Sequence, residues 1–180
     1  MSILVISSSL SPDSKSRIVA NEMNECLKSA GANPEFIDLR KYPMPFCDAS
    51  QAYGDPNVIK LSKKIKDASG IIIAFPIYNY DSNGVLKNLL ELTGKSWQNK
   101  VVGFACAAGG PGSYMAPMSM ANSLMLDFRC IIIPRFVYVM ASQINQEGVL
   151  PDVKIRIVEL AETVLSFVQA LKVYIKSVEA

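Results

Sequence analysis

The 180-residue chain contains no histidine. A Ser-His-Asp triad, a Cys-His nucleophile pair, a His-ligated zinc and any imidazole proton relay are therefore excluded. Cysteine is sparse: Cys26, Cys47, Cys106 and Cys130 form no Cys-x-x-Cys pair. A chain of this length does not need disulfide staples, and the apolar neighbours of these residues predict buried free thiols. An excess of one charge is also missing. Eighteen basic residues against sixteen acidic ones leave a formal net charge of +2 and a pI near 8.3, too weak a field to hold nucleic acid or an anionic membrane. Any anionic ligand must be held by local geometry. No apolar run reaches the roughly 18 residues of a membrane span, and the first residues lack the basic lead and cleavage site of a signal peptide. A soluble, cytoplasmic protein is expected, with neither nucleic acid nor membrane as partner. The phosphate-loop pattern Gly-x-x-x-x-Gly-Lys-Ser/Thr and the dinucleotide fingerprint Gly-x-Gly-x-x-Gly are both absent, which disfavours ATP hydrolysis and tight dinucleotide binding of the Rossmann kind.

What the chain does have is apolar material: half its residues are hydrophobic, 19% are charged, and the mean hydropathy is +0.23. That composition predicts one globular domain over residues 1–180. The apolar segments Ile3 to Ile6, Gly70 to Phe75, Val101 to Cys106 and Ile131 to Val137, together with the shorter segment Pro34 to Leu39, read as five strands. Amphipathic stretches separate them, and a long one from Asp152 to Val178 closes the chain. Gly31 and Thr93-Gly94 mark helix ends, Pro76 is taken to end the third strand, and the helix after the fourth is expected over Tyr114 to Leu126. Strands that are apolar throughout, alternating with helices, predict a doubly wound five-stranded parallel sheet of order 2-1-3-4-5. The segment from Tyr42 to Pro56, with three prolines and a glycine, reads as an irregular excursion of the kind often used as a lid.

In such a sheet, ligands bind beyond the carboxyl ends of the strands where strand order reverses. The loops after strands one, three and four then stand side by side, and these three have unusual composition. The first carries hydroxyls at Ser9, Ser11, Ser14 and Ser16 where a helix begins, so hydroxyl groups, free peptide N–H groups and the helix dipole together suit a phosphate. The second, Pro76-Ile77-Tyr78-Asn79, sets an aromatic ring and an amide beside it, suited to a flat heterocycle. The third, with Gly109 and Gly110, lets main chain approach such a ring without side chains in the way. A mononucleotide fits these features.

Pro76-Ile77-Tyr78-Asn79 followed by Gly84-Val85-Leu86-Lys87-Asn88, with the serine loop and the Gly-Gly loop, resembles the NAD(P)H-dependent FMN reductase family of flavodoxin-like proteins. The likeness runs from about Ile3 to Val137. It implies that FMN is bound with its phosphate at Ser9, Ser14 and Ser16, its isoalloxazine at Pro76, Ile77, Tyr78 and Asn79, and Gly109 and Gly110 flanking the ring. It further implies NADPH or NADH as donor, a small-molecule acceptor such as free flavin or a quinone, and a homodimer. The chain departs from the family in having Ser8-Ser9-Leu10-Ser11 where Gly-Ser-x-Arg is usual. Ser11 thus stands in the place of a phosphate-binding arginine, with Lys15 and Arg17 as candidates to replace its charge. Two alternatives stay open from the residues: a flavodoxin-type electron carrier, against which the formal +2 counts, and a flavodoxin-like binding module without FMN. Dimerisation is also expected from apolar residues that one sheet cannot cover, Val85, Leu86, Leu89, Leu90 and Leu92 on one helix and Met115, Met118, Met120 and Met125 on the next.

Overall fold

A computed structural model describes residues 2–145 and 148–179, with side chains through residue 172. The strands are β1 Ile3–Ser7, β2 Pro34–Asp38, β3 Gly70–Tyr78, β4 Asp81–Ser82, β5 Val101–Ala108, β6 Ile131–Ile132, β7 Val137–Met140, β8 Ile144–Asn145 and β9 Gly148–Val149. The helices are α1 Lys15–Ser29, α2 Pro56–Asp67, α3 Gly84–Thr93, α4 Met118–Phe128 and α5 Pro151–Glu179. The main sheet runs β2-β1-β3-β5, with β6 and β7 successively alongside β5, all in parallel register. This is the expected order, with the fifth strand in two pieces.

Alternation along the strands divides the core into two layers. Leu4, Ile6, Ile71, Ile73, Val102 and Phe104 pack against Leu61, Leu86, Leu89 and Leu124 of α2, α3 and α4. Ile3, Val5, Ile72, Ala74 and Ala105 pack against Val19, Met23, Ile157 and Val164 of α1 and α5. Both faces of each central strand are buried, which is why these strands are apolar without interruption. Gly103 lies where α5 comes closest: a Cβ there would sit 3.0 Å from Leu160 Cδ1 and 3.2 Å from Val164 Cγ2.

The structure departs from the sequence expectations in five places. First, β3 does not end at Pro76 but continues to Tyr78. The N–H of Ser8 donates to the Ala74 carbonyl at 3.0 Å, so Pro76, two residues on, turns its missing donor toward the side where β1 has already ended. Beyond it, Ile77 and Tyr78 pair with Ser82 and Asp81 of β4. The hairpin turns on Asn79 (φ 51°) and Tyr80 (φ 65°), the pair of left-handed residues that two-residue hairpin turns require. Second, the fifth strand breaks between β6 and β7, where Pro134 cannot donate and Arg135 has a φ of 62°. Third, α4 starts at Met118, after Pro117, whose missing N–H is harmless at a helix start.

Fourth, the apolar face of α3 is covered within the chain. Leu86, Leu89, Leu90 and Leu92 are buried, and Leu92 packs with Ala52 and Val58, against which Met44 and Cys47 lie. Asn88 fixes this cover, its Oδ1 accepting from the Cys47 N–H and its Nδ2 donating to the Pro45 carbonyl, each at 2.9 Å. The excursion from Tyr42 to Pro56 is therefore a side wall over α3. Fifth, all four thiols are free, but only Cys106 and Cys130 are buried; Cys26 and Cys47 are half-buried. Burial pushes the Cys106 thiol up to about 12 and the Cys130 thiol to about 11. At pH 8 only on the order of one native Cys106 in ten thousand would be thiolate, the reactive form. Brief alkylation of the native protein at pH 8, read by mass spectrometry, is expected to leave Cys106 and Cys130 unmodified. Rapid labelling of either would contradict this packing.

Candidate functional site

The carboxyl ends of β1, β3 and β5 open on a cavity of about 270 Å³. Ser9, Ser11, Ser14, Ser16, Pro76, Ile77, Tyr78 and Gly109 all line it, so three loops far apart in sequence meet as expected. Asn79 and Gly110 are not in the lining. Asn79 forms the exposed apex of the β3–β4 hairpin, where its left-handed backbone suits an asparagine. Gly110 follows the lining residue Gly109, and its carbonyl accepts from the Tyr138 hydroxyl. The Tyr138 oxygen is also 3.2 Å from Ser113 Oγ, which ties the Gly-Gly loop to β7.

The first loop is built around the start of α1. Ser14 is its N-cap: Oγ accepts from the Arg17 N–H at 3.1 Å and shares a hydrogen bond of 3.0 Å with Ser16 Oγ. The helix start leaves the Lys15 and Ser16 N–H groups without helical partners, a ready anion site. Ser9 Oγ accepts from the Ser11 N–H at 3.3 Å. A buried reciprocal pair fastens this loop to the second: Ser8 Oγ donates to Asn83 Oδ1 at 2.7 Å, and Asn83 Nδ2 donates to the Ser8 carbonyl at 2.9 Å.

Of the two residues considered as substitutes for an arginine at position 11, Lys15 lines the cavity and its Nζ donates to the Ala141 carbonyl at 3.0 Å. Arg17 does not line it. Its Nη1 donates to the Pro12 carbonyl at 3.2 Å, its Nη2 to the Ser11 carbonyl, and its Nε lies 3.5 Å from Asp38 Oδ2. Burial works against ionisation of Asp38, but hydrogen bonds from Arg40 and the charges of Arg40 and Arg17 outweigh it and hold this carboxyl below its usual range. The charged side chains in the lining are Asp13 and Lys15, which balance. An anion here would be held mainly by hydroxyl and peptide donors.

Sequence reasoning missed the walls made by Ala107, Ala108 and Ala141. The first two directly precede the Gly-Gly loop at the end of β5, a visible clue to a flat, unobstructed surface; Ala141 follows β7 and carries no such signal. A methyl group on Gly109 would meet no atom within 4 Å, and its φ is not left-handed. Neither crowding nor conformation demands glycine there, so its effect is to keep the wall open. A larger cavity of about 590 Å³ opens at the break between β6 and β7, lined by Tyr114, Arg135, Arg156 and others, and includes none of the expected site residues.

A parallel sheet of this order, with a helix start and an open cleft at its switch point, defines a flavodoxin-like protein. The chain belongs to the NADPH-dependent FMN reductase family, whose model matches residues 1–146. It is 28% identical to an NAD(P)H-dependent FAD/FMN reductase of Geobacillus thermodenitrificans, the match covering 77% of each chain. It is 27% identical to an NAD(P)H:quinone oxidoreductase of Solanum tuberosum, over 93% of this chain and 91% of that one. Among solved structures, an NADH:FMN oxidoreductase superposes with a TM-score of 0.75 at 18% identity, over 91% of this chain and 87% of the other. The chain is thus an oxidoreductase that uses FMN and NAD(P)H. The donor set fits FMN, with hydroxyls and free N–H groups for a phosphate and a flat glycine-alanine wall beside Tyr78 for a ring.

Proposed function

We propose that the cavity between the first, second and third loops is the FMN site and that the reduced enzyme delivers electrons to a small acceptor, a quinone or free flavin. The observation that carries this is the meeting of the serine loop, Pro76-Ile77-Tyr78 and Gly109 around one cavity open to solvent. Bound there, FMN would supply the hydride-accepting and electron-donating chemistry between nicotinamide and acceptor. The chain's own work is to hold and orient. Ser9, Ser11, Ser14 and Ser16, with the Lys15 and Ser16 N–H groups, hold the phosphate. Tyr78 and the main chain of Pro76 and Ile77 lie along the ring, Asn79 shapes the turn that presents them, and Gly109, backed by Gly110, leaves a ring face open to partner molecules. The described lining has neither histidine nor cysteine, and no catalytic side chain is assigned.

The unit proposed is a single FMN-binding domain over residues 1–180, supported by two apolar layers that share one sheet. Four free thiols support a reducing, cytoplasmic setting. A homodimer is supported by the apolar groups left exposed around α4, Tyr114, Met115, Met125 and Leu126, the last 83% accessible. A mass near one chain in light scattering, with full activity, would remove the dimer. The function is tested by adding FMN to purified protein and following NADH and NADPH oxidation with quinones and free flavins as acceptors. A yellow protein that turns over with such acceptors is the expected result. One that binds FMN but ignores NAD(P)H would behave as a carrier, and failure to take up FMN would refute the site.

A further inference from the structure

We propose that Arg17 and Asp38 are positioning residues that hold the phosphate loop in its binding shape from behind; the proposal rests on reading Ser9 to Ser16 as the phosphate site. Arg17 sits in the first turn of α1, yet its guanidinium turns away from the cavity, and its side chain is only 14% exposed. It bonds two successive carbonyls of the loop, those of Ser11 and Pro12. In a trans peptide the carbonyl and the following N–H point in opposite directions. Drawing the Pro12 carbonyl toward Arg17 therefore directs the Asp13 N–H to the other side of the peptide, and Asp13 is a residue of the cavity wall. Carbonyl oxygens facing an anion would repel it; the arginine keeps two of them outward.

Asp38 fixes the arginine. It is the last residue of β2, in register with Ser7 where the first loop leaves β1, and its side chain is 6% exposed. Its Oδ2 lies 3.5 Å from Arg17 Nε, while its oxygens accept from Arg40 Nε at 3.0 Å, from Arg40 Nη2 at 2.5 Å and from the Arg40 N–H at 3.1 Å. The chain of contacts from Arg40 through Asp38 and Arg17 ends on the main-chain carbonyls of Ser11 and Pro12, and of these two residues only Ser11 lines the cavity. The charge of Arg17 thus acts on the loop rather than on the ligand.

The test compares FMN with riboflavin, which lacks the phosphate, by fluorescence titration of the wild type and of Arg17→Ala, Arg17→Lys and Asp38→Asn, with thermal unfolding of each. Arg17→Ala is expected to raise the FMN dissociation constant about tenfold or more, the loss of charge-assisted bonds, and that of riboflavin by less than about threefold. Arg17→Lys should fall between, since an ammonium lacks the planar fork that spans two carbonyls. Asp38→Asn should weaken FMN selectively while leaving every cavity-lining residue in place. An unchanged ratio of the two affinities, or an equal loss for both flavins, would overturn the proposal; if Arg17→Ala does not fold, Arg17→Lys and Asp38→Asn decide it by the same ratio. If the wild type binds FMN no better than riboflavin, the phosphate site itself fails, and the positioning role with it.

Discussion

Phe104→Ala is expected to destabilise the protein by about 3–5 kcal/mol, measured by urea unfolding. Phe104 is fully buried in the middle of β5. Its ring meets Phe75 edge-on, with centroids 5.8 Å apart and planes at 86°, and Phe136 at 5.5 Å and 65°. Truncation would lose the transfer energy of the ring, open a cavity between the central strands and α4, and remove two edge contacts worth about 0.5–1.5 kcal/mol each. Against a total stability of about 5–15 kcal/mol, that leaves a marginal fold. Phe104 is not among the residues that line the cavity, so molecules that remain folded should bind FMN nearly as before. A loss below about 1 kcal/mol would mean that the ring cluster contributes far less than its burial implies.

Asn83→Ala is expected to strike stability and flavin binding together. Asn83 precedes α3, but its side chain does not cap that helix; it reaches across to Ser8, 75 residues away, with both residues at least 95% buried. Removing it leaves the Ser8 hydroxyl and carbonyl without this partner at a buried site, a cost of about 1–3 kcal/mol. It also uncouples the phosphate loop from the hairpin that carries Tyr78. Ser8→Ala should cost less, because Asn83 Nδ2 can still donate to the Ser8 carbonyl. A double-mutant cycle read in both unfolding energy and FMN affinity separates the pair from its surroundings. Additive effects on FMN affinity would show that the two loops are not coupled through it.

The strand order and the meeting of the three loops were legible because both follow from local signals: uninterrupted apolar runs for buried parallel strands, and serine, aromatic and glycine residues at strand ends. The helix stops at Gly31 and Gly94 were legible for the same reason, since both have positive φ. What was not legible depends on distant partners. Pro76 reads as a strand end unless it is known that β1 has already stopped beside it. The run from Ile131 to Val137 reads as one strand, and only the positive φ at Arg135 reveals the break. The leucines of α3 read as a surplus until the Tyr42 to Pro56 segment is seen lying on them. Nothing local tells Arg17 to turn from the ligand side of its loop to the back, because the carboxylate that draws it there comes from a different strand.

The interrupted fifth strand has a consequence for how copies of this chain meet. No strand among the described residues pairs with the outer side of β6 and β7, so this margin of the sheet offers backbone donors and acceptors to any extended segment that drifts against it. Continuous margins of this kind invite runaway strand addition and aggregation. Here the usable ladder is two residues, then a gap containing a proline and a left-handed arginine, then four residues. A second chain could not add a strand of useful length along it. Self-association along this margin would therefore rest on side chains rather than on strand addition.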